Sequence, residues 1–60
     1  MSKRFVDALS LASENGNIDM VIILATSGAT KESIENALLV AKEHKQNSVV
    51  EYLSVKIQTI

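Results

Sequence analysis

Apolar residues recur in this 60-residue chain at a fixed offset of 29 positions. The matched pairs are Ala8 and Ala37, Leu9 and Leu38, Ala12 and Ala41, Val21 and Val50, and Leu24 and Leu53, with Leu11 over Val40 and Met20 over Val49 as conservative matches. Self-similarity at such a period is typical of supersecondary units that bury their apolar faces against one another. The alternative is that two amphipathic hairpins match by chance.

Within each copy, the spacing of the apolar residues predicts two helices, so we expect an all-α chain of four helices. Gly16 is expected to end the first helix in the left-handed conformation, and Asn17 to cap the second. The second helix is expected to end at Gly28. Thr30 and Asn47 are the predicted caps of the third and fourth helices.

The run MVIILA, from Met20 to Ala25, places six apolar residues in a row. It is far shorter than the roughly 20 residues that cross a bilayer as a helix. The run is interpreted as a helix that is apolar nearly all round, which implies burial on more than one side. Ile22 and Ile23 either cover a shifted core or contact another chain.

Composition excludes several functional classes. A net charge of −1 lacks the basic surface that binding to a nucleic acid backbone requires. The chain has no cysteine and one histidine, so disulfides and a structural metal cannot supplement a core this small. A partner chain remains as the source of additional stability. The absence of cysteine and of a secretory signal predicts a cytoplasmic protein.

The sequence offers no catalytic or cofactor-binding constellation. His44 is expected to face solvent near the end of the third helix and to ease the negative end of its dipole. Glu32 and Glu35 neighbour Lys31 on the same helix and are expected to form a solvated face. We therefore predict a protein that is not an enzyme and that holds no metal or cofactor. Phe5 and Tyr52 are interpreted as packing residues.

Two segments resemble ankyrin repeats. The first reads DALSLASENGNIDMVIILATSGA, in which Gly16 matches the turn glycine and Gly28 with Ala29 matches the close of the repeat. The second reads NALLVAKEHKQNSVVEYLS and has Lys45 at the turn position. The Thr-Pro-Leu-His motif is absent, and the connection between the copies is too short for the projecting β-hairpin.

The resemblance implies a single domain, residues 1–60, built from two stacked helical hairpins in the manner of an ankyrin-repeat solenoid. Repeat one would span about 3–29 and repeat two about 30–57. The implied function is non-catalytic binding of protein. The partner-binding positions implied by the inner helices are Ser10, Ser13, Glu14, Leu39, Lys42 and Glu43. Ile22 and Ile23 are added as possible contacts with another chain.

Self-association is expected because about three repeats are normally needed for independent stability. Without polar end caps, apolar side chains should be exposed, and such patches mark interaction sites. The candidates are Leu9, Leu11, Leu39, Val40 and Val55. The predicted partner is a second copy, in a homodimer, or a longer repeat stack that the chain extends.

A rival interpretation takes MVIIL as a buried parallel strand. The stretch DMVIILATSGATKE resembles the sugar-isomerase (SIS) phosphosugar-binding fold, with its Ser-Gly-x-Thr loop between strand and helix. In that resemblance Thr26, Ser27, Gly28 and Thr30 would hold a phosphate at a helix N-terminus. The resemblance covers only Asp19 to about Val50, and two parallel strands with one crossover cannot cover both faces of a sheet.

Overall fold

The structure, a computed structural model, describes residues 7–58. They form four helices: α1 (Ala8–Asn15), α2 (Ile18–Thr26), α3 (Lys31–Glu43) and α4 (Asn47–Gln58). No strand occurs within these residues. The all-α prediction is confirmed, and the interpretation of MVIIL as a strand is wrong, because that run lies inside α2.

Short polar side chains begin three of the helices. Asp7 accepts a hydrogen bond from the Ser10 backbone N–H at 2.9 Å, and Thr30 accepts one from Ser33 N at 3.1 Å. Asn17 caps α2 in the same way, with a longer bond of 3.4 Å. Each side chain satisfies a backbone donor that the first turn leaves unpaired. The predicted caps at Asn17 and Thr30 are confirmed.

Two helix boundaries differ from the prediction. Helix α2 ends at Thr26, before Gly28, and the hydroxyl groups of Thr26 and Ser27 donate back to carbonyls of the last turn. Helix α4 includes Asn47 as its first residue, because the Gln46 carbonyl accepts the first helical bond. At the end of α2 the physical reason is that local side-chain bonds compete with the backbone pattern.

The two hairpin turns have the same geometry. Gly16 has φ +71°, and Lys45, which lies 29 positions later, has φ +56°. In each turn the next residue donates its backbone N–H to the carbonyl five residues earlier, at 3.0 Å after Gly16 and 2.9 Å after Lys45. This bond closes the helix as in a Schellman motif. The prediction that Gly16 ends α1 in the left-handed conformation is confirmed.

The four helices form two hairpins, α1–α2 and α3–α4, that pack mainly through α1 and α3. The contact between α2 and α4 is the sparsest of these helix pairs. Alanines at the α1–α3 contact, Ala12, Ala37 and Ala41, are buried and let the two backbones approach closely. A single core therefore lies between the hairpins. Its buried members are Leu9, Ala12, Val21, Ala25, Ile34, Ala37, Ala41, Val49 and Leu53.

Tyr52 is half-buried against this core, which confirms its interpretation as a packing residue. The same interpretation of Phe5 concerns a residue outside 7–58. Repeat one as predicted also begins outside the described residues.

Candidate protein-interaction surface

Large apolar side chains lie on the surface of both hairpins. Leu11, Leu39 and Val55 are 54%, 53% and 59% exposed. Met20, Ile22 and Ile23, all on α2, are exposed as well. Exposed apolar side chains are candidates for an interaction site where several of them lie together, as Leu11 and Met20 do between α1 and α2. The predicted exposure of Leu11, Leu39 and Val55 is confirmed.

A groove of about 280 Å³ lies between α1 and α2. Its wall is largely apolar, with two asparagines at one end. We call it the groove from here on. The lining residues are Ala8, Leu11, Ala12, Asn15, Asn17, Met20 and Leu24.

Two of the expected exposed residues are buried instead. Leu9 and Val40 are each 3% exposed, so the prediction is wrong for both. Leu9 belongs to the core between the hairpins, and Val40 lies on α3, the helix that packs against α1. Burial of this kind depends on packing between helices, which the apolar pattern of a single helix does not show.

Two of the predicted partner-binding residues are also inside the protein. Ser10 is 3% exposed and Ser13 is fully buried. The Ser13 hydroxyl donates to the Leu9 carbonyl at 2.8 Å, and the Ser10 hydroxyl accepts from Asn36 Nδ2 at 2.7 Å. Both serines are therefore removed from the set of surface residues, because their hydroxyl groups are satisfied within the fold.

The remaining predicted residues lie on the surface in two places. Glu14, Lys42 and Glu43 are exposed near the C-terminal ends of α1 and α3, with Leu39 one turn earlier on α3. Ile22 and Ile23 lie apart from them on α2 and are exposed, so they do not cover the core of this chain.

Polar side chains bridge the two hairpins near the N-terminal end of α1. The Ser33 hydroxyl donates to Asp7 Oδ2 at 2.6 Å, and Asn36 Nδ2 donates to the Ser10 hydroxyl. All buried side-chain polar atoms in residues 7–58 have hydrogen-bond partners. These bridges fix how α3 is placed along α1, because hydrogen bonds have narrow distance and angle requirements.

The hydrogen bonds to the Asp7 carboxylate lower its pKa. Burial on its own raises the pKa of Asp7, but hydrogen bonds from the Ser33 hydroxyl and the Ser10 backbone N–H outweigh it and leave the pKa below its usual value. Hydrogen bonds to the charged form favour that form. The charged carboxylate is therefore the form that these two hydrogen bonds stabilise.

Replacing Asp7 with alanine should cost about 1 kcal/mol or somewhat more, because the α1 cap and the bond to Ser33 are lost together. Asp7→Asn keeps a capping oxygen and should cost less. Because the folded pKa of Asp7 is lowered, its stabilising effect is present above the usual aspartate range and disappears as the pH falls through the folded value.

Urea unfolding of the wild type, Asp7→Asn and Asp7→Ala at neutral and acid pH measures this contribution. The gap between wild type and Asp7→Asn should narrow in acid. A gap that stays constant with pH would show that the charge of Asp7 is irrelevant to stability.

A second bridge joins the two hairpin turns. Gln46 Nε2 donates to the Glu14 carbonyl at 2.9 Å, and His44 Nε2 lies 3.7 Å from Glu14 Oε2. His44 Nδ1 also lies 3.0 Å from the Val40 carbonyl oxygen. His44 is exposed and follows α3 directly, as predicted. His44 therefore links the two hairpins through its position beside Glu14.

The loop of the rival interpretation joins two helices. The Thr26 and Ser27 hydroxyls donate to the carbonyls of Ile22 and Ile23, and the Thr30 hydroxyl caps α3. These groups are thus engaged in ending one helix and starting the next. The strand-to-helix geometry on which the phosphate-loop interpretation depended is not present between α2 and α3.

Within residues 7–58, no three His, Cys, Asp or Glu side chains are grouped so that they could hold a metal ion. In the same residues, no helix combines the length and the apolar character that a membrane span requires.

Comparison of the chain with protein-family models, with curated proteins and with solved structures found no match.

The groove residues Asn15, Asn17, Met20 and Leu24 were missed as site residues by the sequence argument. A signal for them was nevertheless present. Met20 and Leu24 pair with Val49 and Leu53 in the 29-residue alignment, and these two are fully buried in the second hairpin. Met20 is exposed although its counterpart Val49 is buried, so Met20 is a candidate for contact with a further unit.

Proposed function

We propose that this chain is a non-catalytic protein-interaction module of ankyrin-repeat type that associates with itself. The observation that carries the proposal is the exposure of large apolar side chains on both hairpins. Leu11 and Met20 lie in the groove of the first hairpin, and Leu39 lies on the second.

Energetics favour association. A 60-residue domain buries only about 60% of the surface that its unfolded chain exposes, so its stability alone is small. Covering apolar surface contributes about 25 cal/mol for each Å² removed from water. A partner that binds only the folded chain also shifts the folding equilibrium toward the folded state.

The ankyrin-type assignment is supported by three features taken together. The hairpins follow one another along the chain, their turns share one hydrogen-bonding pattern, and the two turns are 29 residues apart. In this proposal the surface residues Glu14, Ile22, Ile23, Leu39, Lys42 and Glu43 remain the candidates for contact with a partner protein. We propose the cytoplasm as the place of action, since the chain has no cysteine to oxidise.

Sedimentation over a wide range of concentrations tests the proposal. The mean mass should rise with concentration, and the melting temperature measured by circular dichroism should rise with it, because association stabilises the folded chain. A chain that remains a folded monomer with a constant melting temperature at every concentration would contradict self-association.

A further inference from the structure

We propose that copies of this chain stack head to tail, with the free end of the second hairpin of one copy packed into the groove of the next. This inference rests on the self-association proposed above. It goes further by naming two different surfaces and by fixing the partner as a second copy.

The first step is that the groove corresponds to a surface that is already covered in the second hairpin. Shifted by 29 positions, its five apolar residues Ala8, Leu11, Ala12, Met20 and Leu24 become Ala37, Val40, Ala41, Val49 and Leu53. All five of the latter are buried, with at most 3% exposure. Four of them, all except Val40, belong to the core that the two hairpins share. The groove is therefore the side of the first hairpin on which a preceding hairpin would pack.

The second step compares the buried residues of the first hairpin with their counterparts in the second hairpin. Apart from Ala12, which also lines the groove, the buried residues of the first hairpin are Leu9, Ser10, Ser13, Val21 and Ala25. The corresponding residues of the second hairpin are Leu38, Leu39, Lys42, Val50 and Ser54. We call these five the end face. Leu39 and Lys42 are exposed and the other three are only half-buried. The end face is therefore the side on which a following hairpin would pack.

The third step concerns the polar contacts at the turns. His44 and Gln46 reach the first hairpin at Glu14. Their counterparts 29 positions earlier are Asn15 and Asn17, the two polar residues of the groove. The Asn17 side-chain oxygen already accepts from Met20 N, so its Nδ2 is the group that would donate to a neighbouring copy, as Gln46 Nε2 does within the chain.

The chain thus contains one example of the interface that two copies would form. Groove and end face are different surfaces, so their pairing is heterologous, and a heterologous contact that does not close produces open chains. A two-fold dimer would instead pair groove with groove, or end face with end face, and would leave the other surface exposed in both copies. Head-to-tail stacking leaves one groove and one end face uncovered whatever the number of copies.

Three single variants test the geometry in sedimentation velocity: Leu11→Glu in the groove, Leu39→Glu on the end face, and Val55→Glu as the matched control. All three positions are between 53% and 59% exposed. Val55 corresponds to the exposed Thr26 and belongs to neither surface. Each of the first two variants should weaken self-association at least about tenfold, because an unpaired carboxylate would be buried at the interface. Val55→Glu should associate like the wild type.

The decisive sample is an equimolar mixture of Leu11→Glu and Leu39→Glu. One variant keeps an intact end face and the other keeps an intact groove. The mixture should therefore form a one-to-one heterodimer that does not grow further, although each variant alone stays monomeric.

Other outcomes overturn the inference in distinguishable ways. If only one of the two variants loses association, the interface is two-fold and pairs like surfaces, so head-to-tail stacking fails while self-association stands. If both associate like the wild type, another surface is responsible, with Ile22 and Ile23 as the next candidates. If the wild type is monomeric throughout, both proposals fail. Circular dichroism checks the fold of each variant, and Leu11→Gln or Leu39→Gln replaces a charged variant that loses helix.

Discussion

Replacing Leu53 with alanine is expected to lower the free energy of unfolding by about 2–5 kcal/mol, the usual range for a buried leucine. The side chain is fully buried in the core between the hairpins. At the usual 0.05–0.15 kcal/mol per residue, a domain of this size has a total stability of roughly 3–9 kcal/mol. The loss is therefore a large part of the whole, and at low concentration a substantial fraction of the variant should be unfolded.

Val55→Ala is the matched control for this experiment. Val55 is on the same helix, two positions from Leu53, but 59% of it is exposed. Its truncation should change stability by no more than about 0.5 kcal/mol. Urea and thermal unfolding at one fixed protein concentration compare the two variants, so that association does not confound the result. Equal losses for Leu53→Ala and Val55→Ala would contradict the described core.

Substitutions at the two hairpin turns are expected to have opposite signs. Gly16→Ala should destabilise by about 1–2 kcal/mol or more, because an L-residue is strained in the left-handed region. Gly16 has φ +71°, and a Cβ added there would also overlap the Gln46 side chain. Displacing Gln46 would break its hydrogen bond to the Glu14 carbonyl. Lys45→Gly should stabilise by up to about 1 kcal/mol, because Lys45 already has a positive φ of 56°.

Two causes contribute at Gly16, backbone strain and overlap with the Gln46 side chain, and Gly28→Ala isolates the first of them. Gly28 has φ +104°, but an added Cβ would meet no atom within 4 Å. Its substitution therefore reports backbone strain without a clash. Gly16→Ala should cost less in a Gln46→Ala background than in the wild type, because the hydrogen bond from Gln46 to the Glu14 carbonyl has already been lost in that background. A Lys45→Gly variant that is less stable than the wild type would contradict the predicted turn geometry.

Helix number and most helix ends were predictable because their causes are local. Asn17 and Thr30 cap helices through bonds to a backbone N–H three residues away. Gly16 supplies the left-handed residue at the end of α1. Asp7 was not predicted as a cap, although the same signal was present. The C-terminal end of α2 was misplaced because the Thr26 and Ser27 hydroxyl groups bond to carbonyls of its last turn, and the start of α4 was misplaced by one residue.

The candidate site was less predictable because burial of a polar residue depends on its partners across the fold. Ser10 and Ser13 were placed on the binding surface as polar residues of an inner helix. The structure buries them, since Asn36 and the Leu9 carbonyl satisfy their hydroxyl groups. Leu11 and Leu39 were correctly expected to be exposed, but the residue pattern did not place Leu11 in the groove between α1 and α2.

The sequence alone was sufficient to predict the helices, their turns and the similarity of the two halves. Caps, turn glycines and apolar spacing act within a few residues of each other. Tertiary packing decided which faces of the two hairpins are in contact. It therefore also decided which side of each hairpin has no neighbour. The physical reason is visible at Leu11 and Val40, which occupy matching positions and have similar side chains, yet Val40 is buried and Leu11 is exposed. Exposure in a repeat depends on its neighbours in space.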